Sequence, residues 1–478
     1  MNIYDVVVIG AGISGIDAAY RIQTNCPSHS FTILEGRENL GGTWDLFKYP
    51  GIRSDSDMYT FGFPFSPWKN DQAISDAGSI LEYLNDTVDK FDIRKRIQFN
   101  TKVLAADWSS EEACWTLKVE QQGQVKTFKS NFIYMGTGYY DYENGYQPVF
   151  PNQDDFEGSI IHPQKWDTTL DYSNKEIIII GSGATAVTLM PELAKKAKKV
   201  TLLQRSPTYI LAFPKNDKIA NFFKKIMPSK MAHNAAKWKN IMTSIWLYKA
   251  CRKWPNTMRK FFKKNIAKIL EDKYEDKHFN PKYNPWDQRL CLVPDADMFK
   301  TIKSGKGVMV TDTIKSFTKS GILLDSGKAL NADIIVTATG LNIKVFGGIK
   351  GTVDGKLIDT SQIHTYRGCM ASEVPNLVFA VGYTNASWTL KVDLVAQFTT
   401  RLLNHMKKNN YKACTPRFDT DIFKTERLLD FDAGYILRAK DQLPKQGNKL
   451  PWKIYQHYIK DVFMIKYGKV KDKYLEYR

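Results

Sequence analysis

The chain has 478 residues, 43% of them hydrophobic, and a formal net charge of +18, which is room for about two or three domains with a substantial core. No apolar run reaches the roughly 18 residues of a membrane-spanning helix, and no secretory leader is expected ahead of "DVVVIG", which begins by Asp5. The six cysteines (Cys26, Cys114, Cys251, Cys291, Cys369 and Cys414) show neither a CxxC pair nor zinc-ligand spacing, so a structural metal and a dithiol centre are not expected, and a reducing, cytoplasmic setting is.

The first segment, "YDVVVIGAGISGIDAAYRIQ", reads as a buried strand, a glycine turn and a helix. Gly10, Gly12 and Gly15 form G-x-G-x-x-G: one glycine for the tight turn, one for backbone approach to a pyrophosphate, one for helix-on-strand packing. A second strand, "FTILE", ends in Glu35, about 20 residues on, where a carboxylate can hold a ribose 2′-hydroxyl. Further along, "NFIYMGTGYY" reads as a strand closing in a G-T-G turn.

Next comes "FEGSIIHPQKWD", with Phe156, Gly158, His162, Trp166 and Asp167 at fixed offsets. Read alone it is a polar interdomain loop, and a lone loop histidine is more often structural than catalytic. A second strand-turn-helix begins at "EIIIIGSGATAVTLMPEL". Gly181 and Gly183 supply its turn, and Ala186 takes the third position. The strand "VTLLQRS" ends in Arg205 and Ser206. A cation and a hydroxyl there suit a 2′-phosphate, so NADPH is expected over NADH; the plainer alternative is an arginine exposed at a strand end.

From Lys215 to Lys268 fifteen Lys or Arg face one acid, Asp217, a local excess of 15 − 1 = +14. Aromatic and apolar residues are mixed with these lysines at helical spacing. Three readings stay open: a helical insertion with a solvated lysine face, peripheral contact with an anionic membrane, and nonspecific phosphate binding to nucleic acid. No specific nucleic-acid partner is expected. The later strands "ADIIVTATGL" and "NLVFAVGYTNAS" close the second unit and return the chain to the first. The expected fold is α/β, with two Rossmann-like dinucleotide-binding domains, one for FAD and one for NADP, and a helical insertion in the latter. The expected division is FAD domain 1–145, NADP domain 146–212, insertion 213–290, NADP domain 291–372, and FAD domain with tail 373–478.

The Phe156–Trp166 pattern resembles the F-x-G-x-x-x-H-x-x-x-W fingerprint of Baeyer–Villiger monooxygenases, with Pro163 in place of the usual Thr and Asp167 at the last position. "NLGGTWDLFKYPGIRSDSDMYT", "YNPWDQRLCLVPDADMF" and "VGYTNASWTLKVDL" are similar to the branch that contains the ethionamide-activating monooxygenase. The resemblance implies an NADPH- and O2-dependent enzyme that converts ketones to esters or lactones through a flavin C4a-peroxide, with sulfides and thioamides oxidised as a side activity. Two alternatives are a heteroatom monooxygenase and a flavoprotein acting mainly as a membrane or nucleic-acid binding module.

The same resemblance implies the site. Arg289 is the catalytic cation and Asp55 the carboxylate that holds it; read unaided, Asp55 is a helix N-cap or turn residue and Arg289 a loop arginine. FAD falls to Gly10, Gly12, Ser14, Gly15, Glu35, Gly42, Thr43, Trp44, Asp45, Leu46, Asp55 and Val103. NADP falls to Arg53, Ser54, Gly181, Ser182, Gly183, Ala184, Thr185, Ala186, Val187, Arg205 and Ser206. The fingerprint is expected to act as a hinge between the domains. Several family members carry a Lys just before the catalytic Arg; Gln288 stands there instead, so the preference for NADPH leans on Arg205 and Ser206.

Overall fold

Runs of β-branched residues build two sheets, one for each glycine turn. In the computed structural model, which describes residues 3–429 and 432–478, "IYDVVVI" forms strand β1 (Ile3–Ile9), followed by helix α1 (Ile13–Asn25) and strand β2 (Phe31–Leu34). β2 pairs parallel with β1 on one side, and β3 (Gln124–Met135) pairs parallel with it on the other. Between β2 and β3 the chain makes an antiparallel excursion through Thr101–Ser109 and Cys114–Gln121. A strand of such a sheet must be covered on both faces. Val6 and Val8 accordingly pack with Ile16 and Phe398, while Val7 and Ile9 pack with Trp108 and Trp115.

α1 lies directly on the turn that precedes it. A Cβ at Gly15 would stand 1.8 Å from the Gly10 carbonyl oxygen, so only glycine permits that approach.

β4 (Tyr140–Gly145) leads out of the first layer. The second layer holds β5 (Ser159–Ile161), β6 (Glu176–Ile180), α2 (Ala184–Leu193) and β7 (Lys199–Gln204). Helices α3 (Lys218–Ile226), α4 (Ser229–Lys253) and α5 (Pro255–Leu270) follow. The short strands Ile210–Phe213 and Cys291–Pro294 pair in parallel across the base of this insertion. β8 (Gly307–Thr311) and β9 (Ile334–Thr337) complete an all-parallel sheet in the order β8-β7-β6-β9-β5. Ala186 is fully buried at the third position of the second turn, where its single methyl group packs among the sheet's isoleucines.

β10 (Leu341–Ile343) then returns antiparallel to β4, so a two-stranded ribbon joins the layers. The return comes earlier than the expected boundary at 372/373. Lys350–Val353 pairs with Thr101–Ser109, and Thr365–Tyr366 and Met370–Ala371 also belong to the first sheet. These strands are too short and too polar to announce their layer by pattern; only their pairing partners reveal it. β11 (Leu377–Phe379) pairs with β3, and helix α6 (Trp388–Lys408) covers the same face as α1. Among the described residues no helix is long and apolar enough to cross a membrane.

Gly15→Ala should force α1 off the Gly10 carbonyl. The expected outcome is protein purified with little bound FAD and a lowered thermal midpoint; full flavin absorbance at an unchanged midpoint would contradict the packing described.

Candidate active site

The two layers face each other across a cleft of about 270 Å3. α1 starts at Gly12 and α2 at Gly183, and among the described residues neither start receives a side-chain cap. Their first-turn N–H groups are therefore left for an external acceptor, an arrangement whose helix dipole suits an anion such as a pyrophosphate. Gly12 and Ser14 of the first helix and Ala184 and Thr185 of the second all line the cleft. Gly42, at φ +57, lies so close that a Cβ there would be 3.2 Å from the Gly12 Cα. Thr43 and Trp44 continue that wall.

Glu35 is buried at the end of β2, its carboxylate accepting from the Ala11 N–H at 2.6 Å and the Arg37 N–H at 3.0 Å. That anchoring fixes an acceptor next to the first glycine turn, as a ribose hydroxyl pair requires. Two uncapped helix starts and an anchored acid fit two dinucleotides.

Arg289 and Asp55 meet in the cleft at 3.1 Å, about a third of each side chain remaining accessible. The accessible part faces the enclosed cleft, where Tyr139 and Tyr140 also stand. The Asp55 charge holds the Arg289 guanidinium well above its ordinary range against the opposing effect of burial. Asp55 caps no helix; the N-cap of the short helix Met58–Phe61 is Asp57. Arg53, also in the cleft, donates to Asp297 at 2.5 Å and so ties the first layer to the second. Ser54 is buried beside it.

Other expected site residues lie elsewhere. Arg205 and Ser206 are exposed just beyond β7, whose Leu203 carbonyl accepts from the Gly181 N–H of the second turn at 2.8 Å. Gly181, Ser182, Ala186 and Val187 belong to that turn and the helix behind it. Asp45 accepts from Arg37 at 2.6 Å and from Lys48 at 3.0 Å, and it and Leu46 do not line the cleft. Val103 is buried in the core next to the Glu35 end, where the Thr101 N–H donates to the Glu35 carbonyl.

The fingerprint segment packs into the second layer, and His162 reaches the ribbon between the layers. Phe156 packs edge-on against Phe317, and Trp166 is buried in the second core. His162 is buried, its imidazole laid on Gly145 so tightly that a Cβ there would be 2.0 Å from the ring. Its Nε2 lies 3.3 Å from the Gly340 carbonyl and its Nδ1 accepts from the Gln164 N–H at 3.2 Å. Burial lowers its pKa. His162 thus sits at the root of the β4/β10 ribbon, touching both interlayer connections. Asp167 is exposed and caps the turn at Thr169.

A profile described as "Flavin-binding monooxygenase-like" matches residues 4–405. The chain belongs to this flavin-binding monooxygenase family. It is 50% identical to the FAD-containing monooxygenase EthA of Mycobacterium tuberculosis over 475 residues, 99% of this chain and 97% of that one. It is 47% identical to the probable FAD-binding monooxygenase AlmA of Acinetobacter baylyi, over 99% and 96% of the two chains. Among solved structures, an oxidised steroid monooxygenase bound to NADP superposes with a TM-score of 0.79 at 20% identity, covering 100% of this chain and 99% of that one. This family member is thus an FAD-containing oxidoreductase.

Sequence patterns missed the support behind the cleft wall. Tyr383, a wall residue, donates to Asp461 at 2.6 Å, and Lys391 of α6 donates to the same carboxylate oxygen at 2.7 Å. Lys391 and Asp461 are 2% and 0% exposed. Thr384 and Asn385 are further bonded to Gln456, so the C-terminal segment fastens the loop beside the cleft. Asp461→Asn would leave a buried ammonium without its counter-charge, at about 3–5 kcal/mol. The expected result is a lower thermal midpoint and a raised KM for the oxygenated substrate. The double change Lys391→Met with Asp461→Leu should recover most of the midpoint; a single variant as stable as the parent would remove the network from the account.

Proposed function

We propose that the protein uses NADPH and O2 to convert ketones to esters or lactones, and oxygenates sulfides and thioamides as a side activity. The observation that carries this is the Arg289–Asp55 pair, placed in the cleft that both uncapped helix starts open onto. FAD, when bound, supplies the electron storage and oxygen chemistry.

The chain's own residues do the rest. Gly10, Gly12 and Ser14 hold the FAD pyrophosphate and Glu35 its ribose; Gly42 and Trp44 border the ring. Gly181 to Val187 hold the NADPH pyrophosphate, Arg205 and Ser206 its 2′-phosphate, and Arg53 and Ser54 border the nicotinamide side. Addition to a substrate carbonyl builds negative charge on its oxygen. A permanently charged, planar Arg289 meets that charge, and losing one preorganised donor of this kind costs roughly 2.7–4 kcal/mol. Asp55 orients the guanidinium. His162 acts on the linkage between layers rather than on substrate.

Sulfide oxygenation builds no such charge on the substrate and leans less on Arg289. The basic helices supply a further part of the reading: we assign residues 215–268 to peripheral contact with an anionic membrane surface, on their charge excess of 15 − 1 = +14.

With 18O2 and a cyclic ketone, mass spectrometry should find one labelled oxygen per lactone and one NADPH consumed per product. Hydrogen peroxide as the sole oxygen product would mean an oxidase and contradict the reading.

A further inference from the structure

α4 is two-sided. Ala232, Ala236, Asn240 and Ile241 are buried against the body of the protein, whereas Met231, Trp238, Met242 and Trp246 are 60%, 49%, 51% and 62% exposed. Spacings of seven, four and four residues put these four side chains on one stripe. Exposed Lys230, Lys249 and Lys253 border it. Trp238 stands 6.1 Å from the Tyr458 ring, which brings the following turn Val462–Lys466 alongside, with Phe463 at 68% exposure and Tyr467 just beyond it at 64%.

The charge carried by this segment is one-sided, and acids from other segments answer only part of it, Asp71 at Lys224, Asp287 at Arg252 and Asp276 at Lys263. Asp217, the single acid between Lys215 and Lys268, is already paired with Lys239. A second copy docking through the same face would oppose lysine rows to lysine rows, and a nucleic acid would leave the tryptophan–methionine stripe in water. An anionic bilayer satisfies both features: indole and thioether side chains enter the boundary below the headgroups, and lysines meet the headgroup charge.

Beside α4 lies a cavity of about 70 Å3, walled by Ile241, Ile245 and Tyr248 of that helix, by Tyr455, and by Ala386. Ala386 also lines the flavin cleft. The cavity and the cleft thus share Ala386, while Ser244, Lys249, Asn385, Gln456 and His457 add polar groups to the cavity wall.

We infer that this face of α4 docks on an anionic lipid surface and that the cavity beside it passes the alkyl arm of a lipid-borne ketone to the cleft. The substrate half of this inference rests on the oxygenation reading above; the docking half does not.

The test uses full-length holoenzyme floated with phosphatidylcholine vesicles, with and without phosphatidylglycerol. Binding should require the anionic lipid, fall at high salt, and drop at least tenfold in the double variant Trp238→Glu with Trp246→Glu, whose turnover of a small water-soluble ketone should be unchanged. Binding that survives the double variant, needs no anionic lipid, or is replaced by binding to a DNA oligonucleotide would overturn the docking face. Ile245→Trp, which fills the cavity, should lower kcat/KM for a long-chain methyl ketone in vesicles at least tenfold and spare both flotation and the small ketone. Undiminished long-chain turnover would overturn the passage. If the parent makes no ester from the small ketone, the oxygenation reading fails, while flotation, read without turnover, still decides the docking face.

Discussion

A guanidinium set where two helix N-termini already concentrate positive potential stays there only if a carboxylate is brought to it. Asp55 is that carboxylate, 3.1 Å from Arg289, and much of the architecture serves to make the two meet. Asp55 belongs to the first layer, on the segment after the Gly42 turn; Arg289 belongs to the far end of the helical insertion. They meet only when the layers are docked. The Arg53–Asp297 pair, one contact away, ties the same two layers a second time. Charge that repels in isolation is thus used to register two domains against each other.

That dependence gives the ribbon and the fingerprint their purpose. The chain crosses between layers at β4 and β10, and the His162 ring lies on Gly145 of the first and beside Gly340, the residue just ahead of the second. A buried ring held this way packs the two connections between the layers against each other. Glycine at 145 is required for contact rather than for a turn, since any side chain there would occupy the imidazole's place. On the far wall, the C-terminal segment and α6 hold Tyr383 through a buried charge pair, so the cleft is braced from both ends of the chain.

Much of this was legible in the sequence. The glycine turns, the β-branched strands and the acid at Glu35 are local patterns, each set by one strand-turn-helix, whereas Arg205 stands exposed beyond its strand. The basic insertion is likewise a continuous run of helices. Arg289 and Asp55 were legible only through resemblance, because 234 positions separate them and nothing near either predicts the partner. Lys391 and Asp461 carried no signal at all: a lysine and an aspartate read as surface residues until a fold buries them together. The strands at 350–357 were assigned to the wrong layer for a similar reason, since pairing with Thr101–Ser109 is a long-range fact that short polar strands do not encode.

The most direct test of the central claim is to load Arg289→Ala with FAD and count NADPH consumed, hydrogen peroxide released and ester formed from one ketone. If Arg289 stabilises charge on the substrate oxygen, the variant keeps its flavin and still oxidises NADPH. Its electrons then go to peroxide, and ester falls by roughly 10²–10³. Ester formed per NADPH at the parent's ratio would contradict the role given to Arg289, and with it the reading of the cleft.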